Sequence, residues 1–504
     1  LSSLMSFQRR RAAERGGGMN PGTKVEHPEY GPGTIARILG AVAVVNFFGE
    51  EIQVAASDLK VSEKFRPRVV EVADKARPQD KAFRRAFEAV NLGVVPPDPA
   101  ALVAMTIGGE EITRRVESWL DRASEEGLCK AVFGDYGYGK SHFLHVVRAV
   151  ALQAGWVVSF VEFDPKAADP AKPLLVYREI LSKMQFPARE DGSQAAGFRD
   201  FLMEVRRNWE KARSAAYLRE NPWFWKAFQV LLRYPPSEEP SYVQACDWLA
   251  GQPVDLKVIQ QLAREQGLQA LKIPRMPQVK EVAEIYVFHL VVMSSILKAI
   301  GYKGLLVLLD EAEHVRGYTS LRRGRAHNFF DLLARSSMPP LDVPDEPFRN
   351  EHGFDLPPYW KKGPHLGLFV GLTEGNTFAA PGLPLREACV FLHRREDRIR
   401  LEPPTPEQYE EWCTRFFENF HRYRPESTAF LSMDEQRRSL AGRLRAEFEA
   451  LPEEDRVIRI WVKLASLVPS MVLAGRTDDF QELGRLVQEA ARKISSYVLP
   501  WEEN

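Results

Sequence analysis

The chain has 504 residues, 45% of them hydrophobic, and its 68 basic and 68 acidic side chains cancel. That length supports a large core and two or three domains, and it excludes a small scaffold that depends on disulfides or a metal to fold. Zero net charge argues neither for nor against a nucleic-acid binder, so only local clusters of Lys and Arg bear on that question. Four cysteines, Cys129, Cys246, Cys389 and Cys413, are dispersed without ligand-like pairing. They favour reduced thiols over a disulfide framework or a zinc site. There is no uninterrupted run of 18 apolar residues, and no hydrophobic stretch follows Arg9, Arg10 and Arg11. The expectation is a soluble, cytoplasmic protein without a membrane partner.

In chain order, residues 1–19, with Gly16, Gly17 and Gly18, read as a flexible N-terminus. Over 20–62, short β-prone runs such as Val42–Phe48 alternate with Gly-rich turns, which predicts a small β-barrel. Residues 63–100 form a charged connector closed by Pro96, Pro97 and Pro99. Residues 101–405 alternate strand and helix signals, the pattern of an α/β core. Ile107–Ile112 and the helix through Leu120 precede the first core strand, where they can form one wall of a base pocket.

Leu128–Phe133 reads as a strand, Gly134–Ser141 fits G-x-x-x-x-G-K-[ST], and a helical pattern runs on through Leu152. An accidental Gly-rich turn is the bland alternative, but a strand-to-helix turn is the setting a phosphate loop requires. Gly134, Gly137 and Gly139 let backbone N–H groups converge on phosphate oxygens, and Lys140 can reach the β and γ phosphates. The Ser141 hydroxyl is placed for Mg2+, and His142 follows it among the candidate nucleotide contacts. ATP and Mg2+ are the cofactors this implies.

Trp156–Phe163 reads as the next strand, and the pattern from about 186 to 300 is mainly helical, which predicts an insertion in the core. Within it Arg206, Arg207, Trp209, Trp223 and Trp225 suit either a basic-aromatic binding surface or amphipathic helices with aromatic core positions. Gly304–Leu309 reads as a buried parallel strand ending in two acids. Asp310 is the candidate Mg2+ ligand, and Glu311 the candidate base that polarises an attacking water. Arg316, Arg322, Arg323 and Arg325 surround Gly317 and Gly324, a composition suited to a mobile phosphate-contacting loop. Nucleic-acid contact, a subunit contact and solvated charge are all open readings of it. Leu366–Leu372 ends at Thr373, whose hydroxyl can orient water or sense a γ phosphate; ordinary strand-end hydrogen bonding is the alternative. Arg395 is the first choice for an intersubunit arginine finger, with Arg394 and Arg398 beside it. Residues 406–504 read as a helical lid, with Arg476 near a helix N-terminus, where it can approach nucleotide phosphate when the lid closes; a structural salt bridge is the alternative.

Two resemblances add to this reading. The pattern over 20–62 resembles the Tudor-like, SH3-type barrels of transcription-coupled repair factors and some superfamily 1 helicases. This implies contact with proteins and at times nucleic acid. Gly134–Ser141, Leu305–Glu313, Leu368–Thr373 and the helix near Gly475 and Arg476 together resemble an AAA+ ATPase of the origin-recognition-like branch. More narrowly, residues 100–500 look like the DUF2791 family of P-loop proteins, which includes ATP-binding components of BREX bacteriophage-exclusion systems. The resemblance implies Lys140 and Ser141 as phosphate and magnesium contacts, Asp310 and Glu311 as the Walker B pair, Thr373 as first sensor and Arg476 as candidate second sensor. The long insertion and the lack of a recognisable winged-helix segment depart from the simplest plan.

The expected protein is therefore multidomain α/β: a Tudor-like barrel, a P-loop core with a helical insertion, and a helical lid. The function expected is a DNA-associated, homo-oligomeric ATPase in antiviral defence. Its barrel would recruit a helicase, nuclease, methyltransferase or transcription component. A DNA motor or helicase loader, and a nucleotide-gated scaffold, are the alternatives.

Overall fold

The structure, a computed structural model, describes residues 24–28, 31–47, 50–61, 78–135, 137–164, 166–189, 193–232, 240–268, 282–339, 356–359, 364–373, 397–423, 431–453, 456–473 and 485. The chain divides into two compact units, residues 1–77 and 78–504.

In the first unit β1 (Lys24–His27), β2 (Gly31–Leu39), β3 (Val42–Phe47), β4 (Glu50–Ala55) and β5 (Lys60–Val61) form one antiparallel sheet in the order β4-β3-β2-β1-β5. Val25, Ile35, Ala43, Val45, Val54 and Leu59 form its core. The β2–β3 register shifts between Ile35 and Arg37, an irregularity that bends a strand and adds local twist. Among the described residues this is a small antiparallel sheet, and the barrel expected for the segment is not shown.

The second unit begins with α1 (Pro78–Leu92), α2 (Pro99–Ala104) and α3 (Gly109–Glu126), followed by β6 (Leu128–Phe133), α4 (Lys140–Gln153) and β7 (Val157–Glu162). Next come α5 (Pro173–Ser182), β8 (Met184–Ala188), β9 (Gln194–Ala196), α6 (Gly197–Arg207), α7 (Trp209–Ala212), α8 (Pro222–Leu231), α9 (Pro240–Leu249), α10 (Leu256–Glu265) and α11 (Ala283–Ile300). The chain then runs through β10 (Leu305–Asp310), α12 (Ser320–Ser337), β11 (Gly367–Leu372), β12 (Arg398–Arg400), α13 (Pro406–Tyr423), α14 (Asp434–Glu449) and α15 (Ile458–Leu473).

The sheet order is β12-β6-β11-β10-β7-β8-β9. The first five strands are parallel, while β8 and β9 extend the edge antiparallel. The segment read as mainly helical from 186 thus opens with a strand pair. This mixed α/β architecture is compatible with a P-loop core. Every residue of β10 and β11 is buried, which explains their unbroken apolar sequences: a central parallel strand is covered on both faces. Along β10 the side chains alternate, Leu305, Val307 and Leu309 into one core and Leu306 and Leu308 into the other. The second core lies under α3 and α4. The first lies under α5, α11, α12 and the inserted helices.

Helix α11 is apolar all round because it is the middle of that first core. It is long and apolar enough to cross a membrane, yet 78% of its apolar window is buried inside the protein. Ser294 ties it to the sheet by donating to His365 O (2.7 Å) and accepting from Leu305 N (2.9 Å). A third core joins α1 to α13, α14 and α15 through aromatic rings. Phe87 packs edge-on against Phe416 (5.1 Å) and Phe420 (5.3 Å), and Trp461 packs against Tyr409 (5.1 Å) and Phe448 (5.5 Å). Contacts of this geometry add roughly 0.5–1.5 kcal/mol each beyond area burial. The helix expected to be part of a connector is therefore a member of the C-terminal bundle. Cys129, Cys246 and Cys413 are buried; Cys389 lies outside the described residues.

Candidate nucleotide site

Parallel strands place their C-terminal ends along one edge, where loops can converge on a ligand. Strand β11 lies between β6 and β10, so the phosphate loop after β6, Thr373 after β11 and the two acids ending β10 emerge side by side. Gly134 N donates to Leu372 O (3.2 Å), which pins the start of the loop to β11. Gly137 (φ 84°) and Gly139 (φ 87°) are left-handed, a backbone that side chains disfavour. The curl ends at Lys140, the first residue of α4, where first-turn N–H groups point outward without intrahelical partners. Lys140 is 8% exposed, and its Nζ donates to Gly134 O (2.9 Å) and Thr373 Oγ1 (3.1 Å). The expected phosphate lysine and strand-end hydroxyl thus meet across 233 positions of sequence.

Asp310 is 1% exposed, and its Oδ1 accepts from Glu311 N (3.0 Å). Glu311 is left-handed, with φ 58° and ψ 31°, a conformation costing a non-glycine residue about 1–2 kcal/mol. Two local bonds hold it there: the one to Asp310, and His314 N donating to Glu311 O (3.2 Å). This abrupt reversal brings Glu311 to the cleft wall instead of continuing the strand.

The cleft, of ≈ 330 Å³, is bounded on its other side by helices. Thr106, Trp412, Ile458, Arg459 and Lys463 line it together with the phosphate loop. Trp412 Nε1 donates to Met105 O (3.0 Å), fixing the segment before α3 against α13. The Thr106 hydroxyl donates to Leu102 O (2.7 Å) and lies 2.8 Å from His142 Nε2. Its single proton being committed to Leu102, Thr106 accepts from Nε2, which fixes the tautomer of the neutral ring. Burial pushes the His142 pKa down to about 4. On α15, Arg459 and Lys463 stand one turn apart, and Arg459 N lies 3.4 Å from Gly137 O as its donor. Val457 Cγ2 would sit 3.1 Å from a Cβ at position 137, so this glycine also makes room for the helical wall.

Residues 79–222 match the family model described as BREX system ATP-binding protein BrxC/D. The matched stretch contains the whole phosphate loop and supports a relation to that ATP-binding family; Asp310, Glu311 and Thr373 lie beyond it. No curated protein matches the chain.

The residues expected at the site divide into three groups. Gly137, Gly139, Lys140, Ser141, His142 and Glu311 line the cleft. Gly134, Thr373 and Asp310 are joined to it by the bonds above. Arg395 and Arg476 lie outside the described residues. The cations the helical wall does bring to the cleft are Arg459 and Lys463, which the sequence reading passed over. Their spacing of four was the available signal.

The mobile arginine loop is overturned. Arg316 lies in a 3-10 turn, Ala312–Gly317, and Arg322, Arg323 and Arg325 occupy the first turns of α12. Arg322 pairs with fully buried Asp169 (2.8 Å) and lies over the Tyr318 ring (4.0 Å). Arg323 donates to Tyr318 O (2.9 Å). Burial pushes the Asp169 carboxyl up, but bonds from Lys172, Tyr318, Arg322 and the Ala171 N–H outweigh it and hold it below its usual range. In the insertion Trp223 is fully buried, and Trp209 and Trp225 pack partly buried against the same core, as amphipathic helices require.

Among the described residues no three His, Cys, Asp or Glu side chains converge as a metal cage. Mg2+ beside a nucleotide needs no cage: one or two protein oxygens plus phosphates suffice. A hydroxyl at Ser141 and a carboxylate at Asp310 are hard donors of that kind, so the residues fit.

Proposed function

We propose that this protein binds and hydrolyses ATP in the cleft between the sheet edge and the helical wall, as a switch governing assembly with DNA and protein partners in BREX-type antiviral defence. The observation that carries the reading is the bonding of Lys140 to Thr373, in a cleft also lined by Ser141 and Glu311. On binding, Lys140 Nζ exchanges Gly134 O and Thr373 Oγ1 for β and γ phosphate oxygens, and the N–H groups of the loop and of the first turn of α4 take the remaining charge. Ser141 and Asp310 would hold Mg2+, which would supply further neutralisation of the phosphate oxygens. Glu311 accepts a hydrogen bond from water and orients it toward the γ phosphorus. A water oxygen–phosphorus bond forms while Glu311 takes the water's proton, the bond to the β-γ bridging oxygen breaks with its electron pair left on ADP, and ADP and phosphate leave as Glu311 gives the proton up to phosphate or solvent. Thr373, freed from Lys140, donates to the γ phosphate or to the water. Arg459 and Lys463 offer cations from the helical side, linking the state of the phosphates to the packing of α15.

DNA contact rests on the density of arginine in the sequence at Arg316, Arg322, Arg323 and Arg325. Homo-oligomerisation rests on the need for a trans arginine, for which Arg395 is the candidate, and the N-terminal sheet serves as a Tudor-like recruiting module. A cytoplasmic location accords with four cysteines dispersed without ligand-like or framework spacing. The test is ATP hydrolysis by the intact protein alone, with single-stranded DNA and with duplex DNA, using Glu311→Gln as control. Turnover that DNA stimulates and the control lacks supports the proposal. ATP binding without turnover under every condition replaces it with a nucleotide-gated scaffold.

A further inference from the structure

Strand β11 carries an unexpected glycine at position 371, two residues before Thr373, in a strand where a side chain would otherwise pack. A Cβ built there would lie 2.7 Å from Asp310 Oδ1, 3.3 Å from Leu144 Cδ1 and 3.6 Å from Leu309 O. The first distance is shorter than real side chains tolerate, and the atom it meets is neither exposed nor at the end of a long chain. Asp310 is buried, and its Oδ1 is the oxygen that accepts from Glu311 N. The space left by the missing side chain is therefore occupied by the oxygen that clamps the left-handed turn of Glu311. Backbone φ plays no part, since position 371 is not among the left-handed glycines.

We propose that Gly371 is a positioning residue for both acids: its lack of a side chain seats the Asp310 carboxylate, and through the bond to Glu311 N it fixes the direction in which Glu311 leaves the strand. The inference rests on the nucleotide-site reading for what the acids do, but the contact itself belongs to the fold. A methyl group at 371 displaces Oδ1, weakens the clamp and lets Glu311 relax from its left-handed conformation. The Leu144 contact is met at the end of a flexible side chain, and none of the three nearest atoms belongs to Lys140, Thr373 or the phosphate loop, so nucleotide contacts that do not involve the acids survive.

The test is Gly371→Ala in full-length protein, made in the wild-type background and in Asp310→Ala, where the opposing carboxylate is gone. Titration with a fluorescent ATP analogue in EDTA is expected to give wild-type affinity. In Mg2+ the metal concentration needed for tight binding should rise about tenfold, the usual scale for disturbing a group that supports a metal ligand. In the Asp310→Ala background the same substitution should change nothing beyond about twofold. An unchanged Mg2+ requirement, or an equal effect in both backgrounds, overturns the proposal. Should Gly371→Ala fail to fold, recovery in the double variant supports the steric contact, and failure of the double as well overturns it. Should wild-type protein bind no nucleotide, the site reading fails by itself. Thermal denaturation of the same four proteins then decides the contact: a melting-temperature loss confined to the Asp310 background supports it, and an equal loss in both refutes it.

Discussion

The two walls of the cleft are built by different means. The sheet wall is assembled from strand ends: Gly134, Asp310 and Thr373 reach one edge because β6, β11 and β10 are parallel neighbours in register. The helical wall is assembled from segments near the two ends of the larger unit, with Thr106 following α2 and Trp412, Arg459 and Lys463 on α13 and α15. The first wall presents groups that can act on phosphate. The second contributes aromatic packing, a neutral histidine contact and two cations. Under the proposed function, chemistry and coupling fall to separate parts of the fold, joined where Arg459 N meets Gly137 O.

Substitutions on each wall should therefore fail differently. Glu311→Gln removes the group that orients water, and turnover should fall by about 10²–10⁴-fold, the range for a lost general base, while ATP affinity stays near wild type. A comparable loss of affinity would place Glu311 in binding. Lys140→Ala deletes charge-assisted bonds to phosphate worth roughly 1.5–3 kcal/mol, so affinity in a direct titration should drop about 10- to 100-fold. Arg459→Ala with Lys463→Ala removes two exposed cations and should weaken ATP by about tenfold while leaving AMP unchanged. Equal losses for ATP and AMP would mean a disturbed wall and not lost phosphate contacts.

The smallest effects lie outside the cleft. Arg322→Ala takes one of several partners from Asp169, and the pair is partly exposed, so a stability loss of about 1 kcal/mol in urea denaturation is expected. Asp169→Asn should change the acid limb of the stability curve. Because the folded carboxyl titrates below its usual range, its contribution is complete above the unfolded pKa of about 3.9 and disappears as pH falls through the lower folded value. The variant should lose stability at neutral pH and show a flatter decline below about pH 4. A parallel decline would remove Asp169 from the account.

The same contrast governs what the sequence made legible. The sheet wall could be read because its parts are contiguous: a motif of eight residues, an apolar run ending in two acids, and another ending in a hydroxyl. Parallel pairing then does the rest. The helical wall has no such grammar. Trp412 reads as one more aromatic on an amphipathic helix, and the spacing of four between Arg459 and Lys463 is shared by many solvated helix faces, so it singles out no site until α15 is packed against Gly137. The arginine-rich segment after Glu311 misled for a related reason. Gly317 and Gly324 suggested a loop, whereas α12 begins at Ser320 and carries Gly324 within it. The buried partner of Arg322, Asp169, lies 153 positions away and follows no local pattern. Gly371 was visible as a letter in a strand, but its reason is a contact across the sheet.

The central claim is that both walls bind one nucleotide. It is tested most directly by calorimetric titration of ATP and AMP into wild-type protein, Lys140→Ala and the Arg459→Ala/Lys463→Ala pair, all in Mg2+. The account predicts tight ATP and weak AMP binding by the wild type, with both variants losing most of that preference. Wild-type ATP affinity in Lys140→Ala would contradict it outright.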